Sequence, residues 1–560
     1  MNGWKQLVVK GAEDNHYVSN PPFSHPRWVT LPGVVSALLL ILIVVSAMLA
    51  LVWMAPALPW ASVWQDAYLQ RIVRFSLWQA TLSSLLVVLL AIPLARALLR
   101  RPAWPGRKLL LRIMELTLVL PPIVVVFGLV AVHGRQGWLP QLLSGLGWQP
   151  PNYLYGLGGI LLAHIFYNVP LCARLLLQEL ERIPSQHWRL AAQLGLNSRG
   201  VWLMLEWPVV RRALPRLLAL VFTLCFTSFA IVMTLGGGPR ATTLEVAIYQ
   251  ALRFDMDIGR AALLAILQLL ICALLWGVSG RLGGMPSLTP YTLYRHWPRA
   301  DSLGSSRYVD SGWIGMLWLL LLPPLLAVVL NGLGGIWLML WRHELWAAWW
   351  LSIKLALVAG GLATILATLL LSAAGGYARR GDQRISALTE ASGHLTLLIP
   401  AMVLGTGWFV LLRPWVSLTE QGYSLVVFAN TLMCLPFLMQ VLRGPLNSLD
   451  EPSRRLADTL DVRGWYRWRW LLWPRLKPAI ALALAYGMTY SLGDFSVVAL
   501  FGSPSQPTLP LLLYQLLGSY RLREAAGCAL LMLLTMLMIF LLLEWLGRRG
   551  YRSERERSSP

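Results

Sequence analysis

The chain has 560 residues, of which 57% are hydrophobic and only 13% charged, and its mean hydropathy is +0.60. Soluble domains carry about a quarter charged residues, so a water-soluble globular architecture is excluded for most of the length. The formal charge of +22 does not indicate nucleic acid, because the basic residues fall in short loops between apolar runs, where they set orientation in a bilayer.

An N-terminal tail, residues 1–32, is mostly polar. The first apolar run, 33–54, is long enough to span and lacks an adjacent small-residue cleavage site, so it is not expected to be a signal peptide. A spanning helix takes ~20 mostly apolar residues, and in hydrocarbon a helix satisfies its own backbone polar groups. Spans are predicted near 33–54, 74–95, 109–132, 156–177, 214–235 and 260–280, then near 313–332, 346–375, 390–412, 424–442, 478–501 and 525–546. The expected fold is an all-α polytopic membrane protein of about twelve transmembrane helices. Its units are 33–280 and 313–547, joined by a polar linker, 281–312, and followed by a tail, 548–560.

Loop charges predict the orientation. Arg96, Arg100, Arg101, Arg107 and Lys108 follow the second span, Arg379, Arg380 and Arg384 the eighth, and Arg548, Arg549 and Arg552 the twelfth. The alternate loops are poor in Lys and Arg, so both termini are expected in the cytoplasm. Cys172, Cys225, Cys272, Cys434 and Cys528 all lie in apolar runs without CxxC spacing, which supports no disulfide framework, zinc site or redox motif.

The two units repeat one another. RLAAQLGLNSRGVWLMLEWP (189–208) and RLADTLDVRGWYRWRWLLWP (455–474), 266 positions apart, share eight of twenty residues without a gap. At the same offset Pro170 falls opposite Pro436 and Phe229 opposite Phe495. Thr243, Tyr249 and Gln250 match Thr508, Tyr514 and Gln515 after a one-residue slip; Pro121 and Gly128 match Pro400 and Gly407 at a larger offset. Both repeated loops follow an even number of spans, so the two sets of six spans are parallel repeats. In each loop a short helix is expected, capped by Ser185 after Pro184 or by Asp450 before Pro452. Leu190, Ala191 and Leu194 give it an apolar edge, as do Leu456, Ala457 and Leu460, and Gly195 closes the first one with a left-handed residue. Such a helix can seat in a groove of a partner or lie on lipid headgroups. Its duplication at matching places favours a two-fold partner.

Each loop resembles the EAA loop of binding-protein-dependent ABC importer permeases. Leu190-Ala191-Ala192 with Gly195 and Trp207-Pro208 carry the pattern; Leu456-Ala457-Asp458 with Trp473-Pro474 follow it less closely. Leu190 and Leu456 replace the usual Glu, and Asp461 stands where Gly is usual. The resemblance implies the type I importer permease fold, in which each loop (180–212 and 446–478) forms a coupling helix on an ATPase subunit. The coupling residues it implies are Arg189, Leu190, Ala191, Ala192, Leu194 and Gly195, with Arg455, Leu456, Ala457, Asp458 and Leu460. From about residue 33 to 547 the chain is also similar to the thiamine ABC-importer permeases of Gram-negative bacteria. That similarity lies in GRQGW (134–138), LGGGP (235–239) with ATT (241–243), AIYQAL (247–252), GDF (493–495) with VALFG (498–502), and LGSYR (517–521). It implies import of thiamine, with its phosphate esters as further candidates, across the inner membrane. The implied partners are two copies of an ABC ATPase and a periplasmic thiamine-binding protein.

The chain has no G-x-x-x-x-G-K-[ST] loop, and Gly-Lys occurs nowhere in it. ATP and magnesium therefore belong on the partner, and no cofactor, metal or catalytic set is expected here. Ionisable groups within spans are expensive, which makes each a functional candidate. Asp494 is the sharpest: its carboxylate would ease passage of a cation such as thiamine, or else bond a neighbouring helix. Ser228 is its counterpart, and Phe495 and Phe229 follow the two, so all four are candidate path residues. Glu115 and Arg174 are expected to snorkel to the interface, and His164 and His394 to bond neighbouring helices; Lys354 carries no assignment. An iron(III) importer permease and an ion-coupled carrier of two six-span halves are the competing readings.

Overall fold

The computed structural model describes residues 27–54, 60–117, 119–148, 151–238, 241–282, 306–397, 399–415, 418–447 and 473–548, with 459, 466 and 469 alone between the last two stretches. Among these residues every regular element is a helix. The first half contains α1 (Arg27–Met54), α2 (Ala67–Arg100), α3 (Arg107–Leu116), α4 (Pro122–His133), α5 (Leu157–Glu181), α6 (Ser185–Gln193), α7 (Trp207–Phe226), α8 (Phe229–Leu235), α9 (Leu244–Arg253) and α10 (Ile258–Leu282). The second contains α11 (Ser306–Leu340), α12 (His343–Arg379), α13 (Gln383–His394), α14 (Ala401–Leu412), α15 (Leu418–Asn447), α16 (Trp473–Gly493), α17 (Ser496–Phe501), α18 (Leu509–Gly518) and α19 (Leu522–Arg548). Shorter turns are named by residue.

Nine described helices are long and apolar enough to cross a membrane, and the bent pair of α7 and α8 makes a tenth. The expected spans 390–412 and 478–501 fall outside that set. Proline cuts the first to the twelve-residue α14, and α16 opens with Arg475, Lys477 and Pro478. Helix α11 begins at Ser306, so the last seven residues of the expected linker are helical; residues 283–305 lie outside the described part, as do most of both tails.

Four expected spans are broken, and the breaks match between halves. Pro121 and Pro400 occupy the N-cap positions of α4 and α14 with extended ψ of 134° and 145°. Proline there lacks the N–H that would continue the preceding helix and clashes with its last turn. The fifth span bends by 52° between α7 and α8. The eleventh stops at Gly493 and restarts at Ser496, leaving Asp494 and Phe495 between α16 and α17.

Beyond each of these comes a short buried helix absent from the predicted spans, α9 in one half and α18 in the other. Each starts after a threonine, Thr243 or Thr508, with its first N–H bonded to a serine of the half's second span. Leu244 N donates to Ser76 Oγ at 2.9 Å, and Leu509 N to Ser352 Oγ at 2.8 Å. The orphan donors of a helix start are thus met inside the protein rather than by water.

The first helix of each half packs on the other half: α1 against α12 and α14, α11 against α2 and α4. Two glycines allow the crossings. A Cβ on Gly128 would stand 2.6 Å from Pro324 O, and one on Gly407 would stand 2.5 Å from Ala47 O. Small residues let membrane helices approach backbone to backbone, where dispersion rather than the hydrophobic effect holds them.

Candidate functional sites: the seam and the polar loop

The broken fifth and eleventh spans meet at the seam between the halves. Phe229, the first residue of α8, and Phe495, just before α17, stack with ring centroids 5.5 Å apart. Tyr249 of α9 packs edge-on to Phe229 at 5.2 Å, and Tyr514 of α18 lies 4.9 Å from Phe495. Both phenylalanines are almost wholly buried.

Around it stand polar groups with unspent bonding capacity. Asp494 Oδ1 accepts from Ser496 N–H at 3.1 Å, capping α17. Asn430 acts on the same carboxylate, yet no hydrogen bond of good geometry reaches Oδ2. Ser228 Oγ, Thr243 Oγ1 and Thr508 Oγ1 are likewise buried without partners. Ser352, Ser491, Asp494 and Thr508 line one small cavity. Buried polar atoms are nearly always paired, so a group of orphans marks a place where water or a solute completes the set. The structure therefore brings Asp494, Phe495, Phe229 and Ser228 together at two helix breaks, the kind of interruption that membrane transporters tolerate where backbone lines a cavity. Tyr249 and Tyr514, which the sequence offered only as matching residues of the repeat, join the two phenylalanines in this cluster.

The polar loop begins at α6. Pro184, not Ser185, occupies the N-cap position, and Ser185 is the first helical residue without a capping bond; this corrects the predicted cap. Pro184 has extended ψ of 140°, and its carbonyl accepts from His187 N at 3.0 Å. The C-terminal prediction holds: Gly195 takes φ +62°. Leu196 N bonds Ala191 O at 3.0 Å and Gly195 N bonds Ala192 O at 3.1 Å, the pair of reversed bonds that closes a helix on a left-handed residue.

The expected apolar edge divides. Ala191 and Trp188 are buried against the rest of the chain, while Leu190 and Leu194 are 53% and 66% exposed. Arg189, Ala192 and Gly195 are exposed with them. One face of α6 thus seats the helix and the other presents leucines outward. In the second loop Asp450, Pro452, Arg455, Leu456, Ala457, Asp458, Leu460 and Asp461 lie outside the described residues.

Two buried acids escaped sequence reading. Glu206, fully buried in the five-residue π turn Trp202–Glu206, takes Arg96 Nε at 2.6 Å. The Arg96 guanidinium also lies 4.2 Å from the centre of the Trp202 ring. Glu245 on α9 accepts from Gln268 Nε2 at 2.6 Å. A lone acid inside an apolar motif was the available signal in both cases. Glu115 and Arg174 form an ion pair, because α3 and α5 bring them together. His164 Nδ1 lies 2.8 Å from Ser83 Oγ, the expected bond between helices. Lys354 sits 5.2 Å from the Trp350 ring centre. All five cysteines are buried and unpaired.

Residues 87–282 and 371–552 each match the family described as binding-protein-dependent transport system inner membrane component. The chain belongs to that family, carries its unit twice, and is a multi-pass membrane protein. Its relatives narrow the comparison. It is 44% identical over 531 residues to the thiamine transport system permease protein ThiP of Escherichia coli (strain K12), covering 94% of this chain and 98% of that one. The ThiP of Brucella abortus (strain 2308) is 42% identical over 83% of this chain and 86% of its own. For that of Haemophilus influenzae the values are 37%, 91% and 94%.

Proposed function

We propose that this chain is the permease subunit of an importer that carries thiamine across the bacterial inner membrane, driven by ATP hydrolysis on separate ATPase subunits. One observation carries the reading: similarity to thiamine transport permeases extends over 94% of the chain at 44% identity. The iron(III) alternative is not favoured. The seam supports passage of a cationic aromatic solute in chemical terms. Phe229, Phe495, Tyr249 and Tyr514 offer ring faces that attract cations, and Asp494 adds a carboxylate whose charge would offset part of the cost of dehydrating the thiazolium.

The proposed cycle follows from the two sites. Units 33–280 and 313–547 form a pseudo-dimer with both termini and the EAA-like loops on the cytoplasmic side. A periplasmic binding protein delivers thiamine to the opposite face. Two ATPase copies holding ATP and magnesium seat on the loops, one on the exposed face of α6 and one on the segment around Arg455–Leu460. Their closure rocks the halves apart, unstacks the quartet, and opens the seam to the delivered solute. The permease supplies the path and the lever, with no bond made or broken on its own residues.

Reconstitution tests this. Vesicles holding the permease, an ABC ATPase and the binding protein should accumulate labelled thiamine only with ATP, and unlabelled ferric ion should not compete. Accumulation by the permease alone in an ion gradient would replace the reading with an ion-coupled carrier.

A further inference from the structure

The arginines that close α2 do more than mark a cytoplasmic end. Arg100 and Asp310 are both buried, although one ends a span of the first half and the other stands near the start of α11. Asp310 Oδ2 accepts from Arg101 Nε at 3.0 Å, and its Oδ1 lies 3.4 Å from Arg100 Nη1. Arg100 then reaches the polar loop: its Nη2 donates to Ser198 Oγ at 2.8 Å. Ser198 opens the short turn Ser198–Val201, three residues beyond Gly195. Arg101 Nη2 also donates to Ser306 Oγ at 3.2 Å, holding the start of α11. A single carboxylate in the second half is thus two hydrogen bonds from the loop that carries α6.

The matching place in the other half is different. The same offset of 280 residues separates Arg100 from Arg380 and Thr30 from Asp310. Arg380 Nη1 donates to Thr30 Oγ1 at 3.3 Å, so an arginine again ties the first helix of one half to the second span of the other, with a hydroxyl in the place of Asp310. Both joints have an ionised donor, and the one at Asp310 has an ionised acceptor as well. Burial also makes the charged joint costly to break, since separation would leave an uncompensated carboxylate inside the protein.

We propose that Asp310 is a positioning residue that fastens the first EAA-like loop to α11 through Arg100 and Ser198, so that a push on that loop moves α2 and the outer helix of the opposite half together. The proposal rests on the reading of the loop as an ATPase lever.

The test uses the full complex of permease and ATPase in lipid nanodiscs, with nitroxide labels on Gln141→Cys and Tyr520→Cys, exposed positions in different halves. All five native cysteines are buried, which directs the label to the new ones. Double electron–electron resonance with and without trapped ATP reads the separation of the halves and needs no cargo. The nucleotide-driven shift should fall to less than half in Asp310→Asn and in Ser198→Ala, return in Asp310→Glu, and stay whole in Thr30→Val. A full shift in both Asp310→Asn and Ser198→Ala overturns the proposal. Ser198→Ala leaves the ion pair in place, so it decides alone if Asp310→Asn does not assemble. A wild-type complex that shows the shift yet carries no thiamine would refute the cargo and leave the joint standing.

Discussion

Phe229 and Phe495 lie 266 residues apart in sequence and stack with their planes 27° from parallel. Equivalent residues from the two halves therefore touch each other across the pseudo-two-fold axis. A self-complementary contact of this kind has the economy of a symmetric dimer interface, in which one surface serves both sides. It also lies at the two points where the spans are already broken, so in the proposed cycle the path closes there. Opening then needs only a change at loop dihedrals, with no helix to unwind.

The first prediction concerns that closure. Phe→Ala in a packed core costs about 3–5 kcal/mol, which confuses gating with folding, so leucine is the better probe. Stacking adds about 0.5–1.5 kcal/mol beyond buried area, equivalent to roughly two- to twelvefold in the balance of closed and open seams. The double variant Phe229→Leu, Phe495→Leu should let preloaded labelled thiamine leave vesicles without nucleotide several-fold faster than wild type. An unchanged leak would move the gate elsewhere.

Asp494 is tested by charge. Asp494→Asn retains an oxygen to accept from Ser496 N–H and cap α17, so local structure should persist while the negative charge is lost. If the carboxylate steadies a passing cation, thiamine uptake should fall about tenfold, the equivalent of ~1.4 kcal/mol, with ATP hydrolysis in the assembled complex retained. Wild-type uptake by this variant would make Asp494 a cap and nothing more.

How much of this was legible in the sequence depended on what kind of physics wrote it. The all-helical membrane fold, the internal repeat and the α6 terminator at Gly195 follow from apolar length, duplicated residues and the glycine φ requirement, all local signals, whereas the twelve expected spans exceed the nine or ten that qualify among the described residues. Ser185 was misplaced as a cap because the helix starts one residue earlier than expected, with Ser185 already helical after Pro184. Helices α9 and α18 were invisible as separate elements, since ten-residue apolar stretches beside a span look like loop or span end until Ser76 and Ser352 are seen to hold their starts. The arginines at 96, 100 and 101 read as loop charge. Their partners, Glu206 and Asp310, stand 110 and 209–210 residues away, and no local pattern encodes such pairings.

The divided face of α6 separates two variants that look equivalent in sequence. Leu194 is exposed, so Leu194→Asp should fold normally, weaken retention of the ATPase during purification, and reduce coupled turnover. Ala191 is buried beside Trp188, so Ala191→Glu should unseat the helix and abolish stimulated hydrolysis while the spans still insert. Gly195→Ala should cost about 1–2 kcal/mol from left-handed strain alone, because a Cβ there would meet nothing within 4 Å. Protease sensitivity of the loop and co-elution of the ATPase distinguish the three. Equal behaviour of Leu194→Asp and Ala191→Glu in both assays would contradict the two-faced arrangement.

The Arg96–Glu206 pair makes the last prediction, about stability. Glu206 is fully buried and Arg96 only one-fifth exposed, so truncating the arginine removes a cation 2.6 Å from a carboxylate inside the protein. Breaking such a pair from one side costs about 3–5 kcal/mol, whereas replacing both partners with apolar groups is often near neutral. Arg96→Met should therefore lower the melting temperature of the detergent-solubilised protein far more than the double variant Arg96→Met, Glu206→Leu. The Trp202 ring loses its cation in both, so that contact does not account for the difference. Equal melting temperatures for the single and double variants would mean that Glu206 sheds its charge without penalty, and the pair would then have no part in holding the π turn against α2.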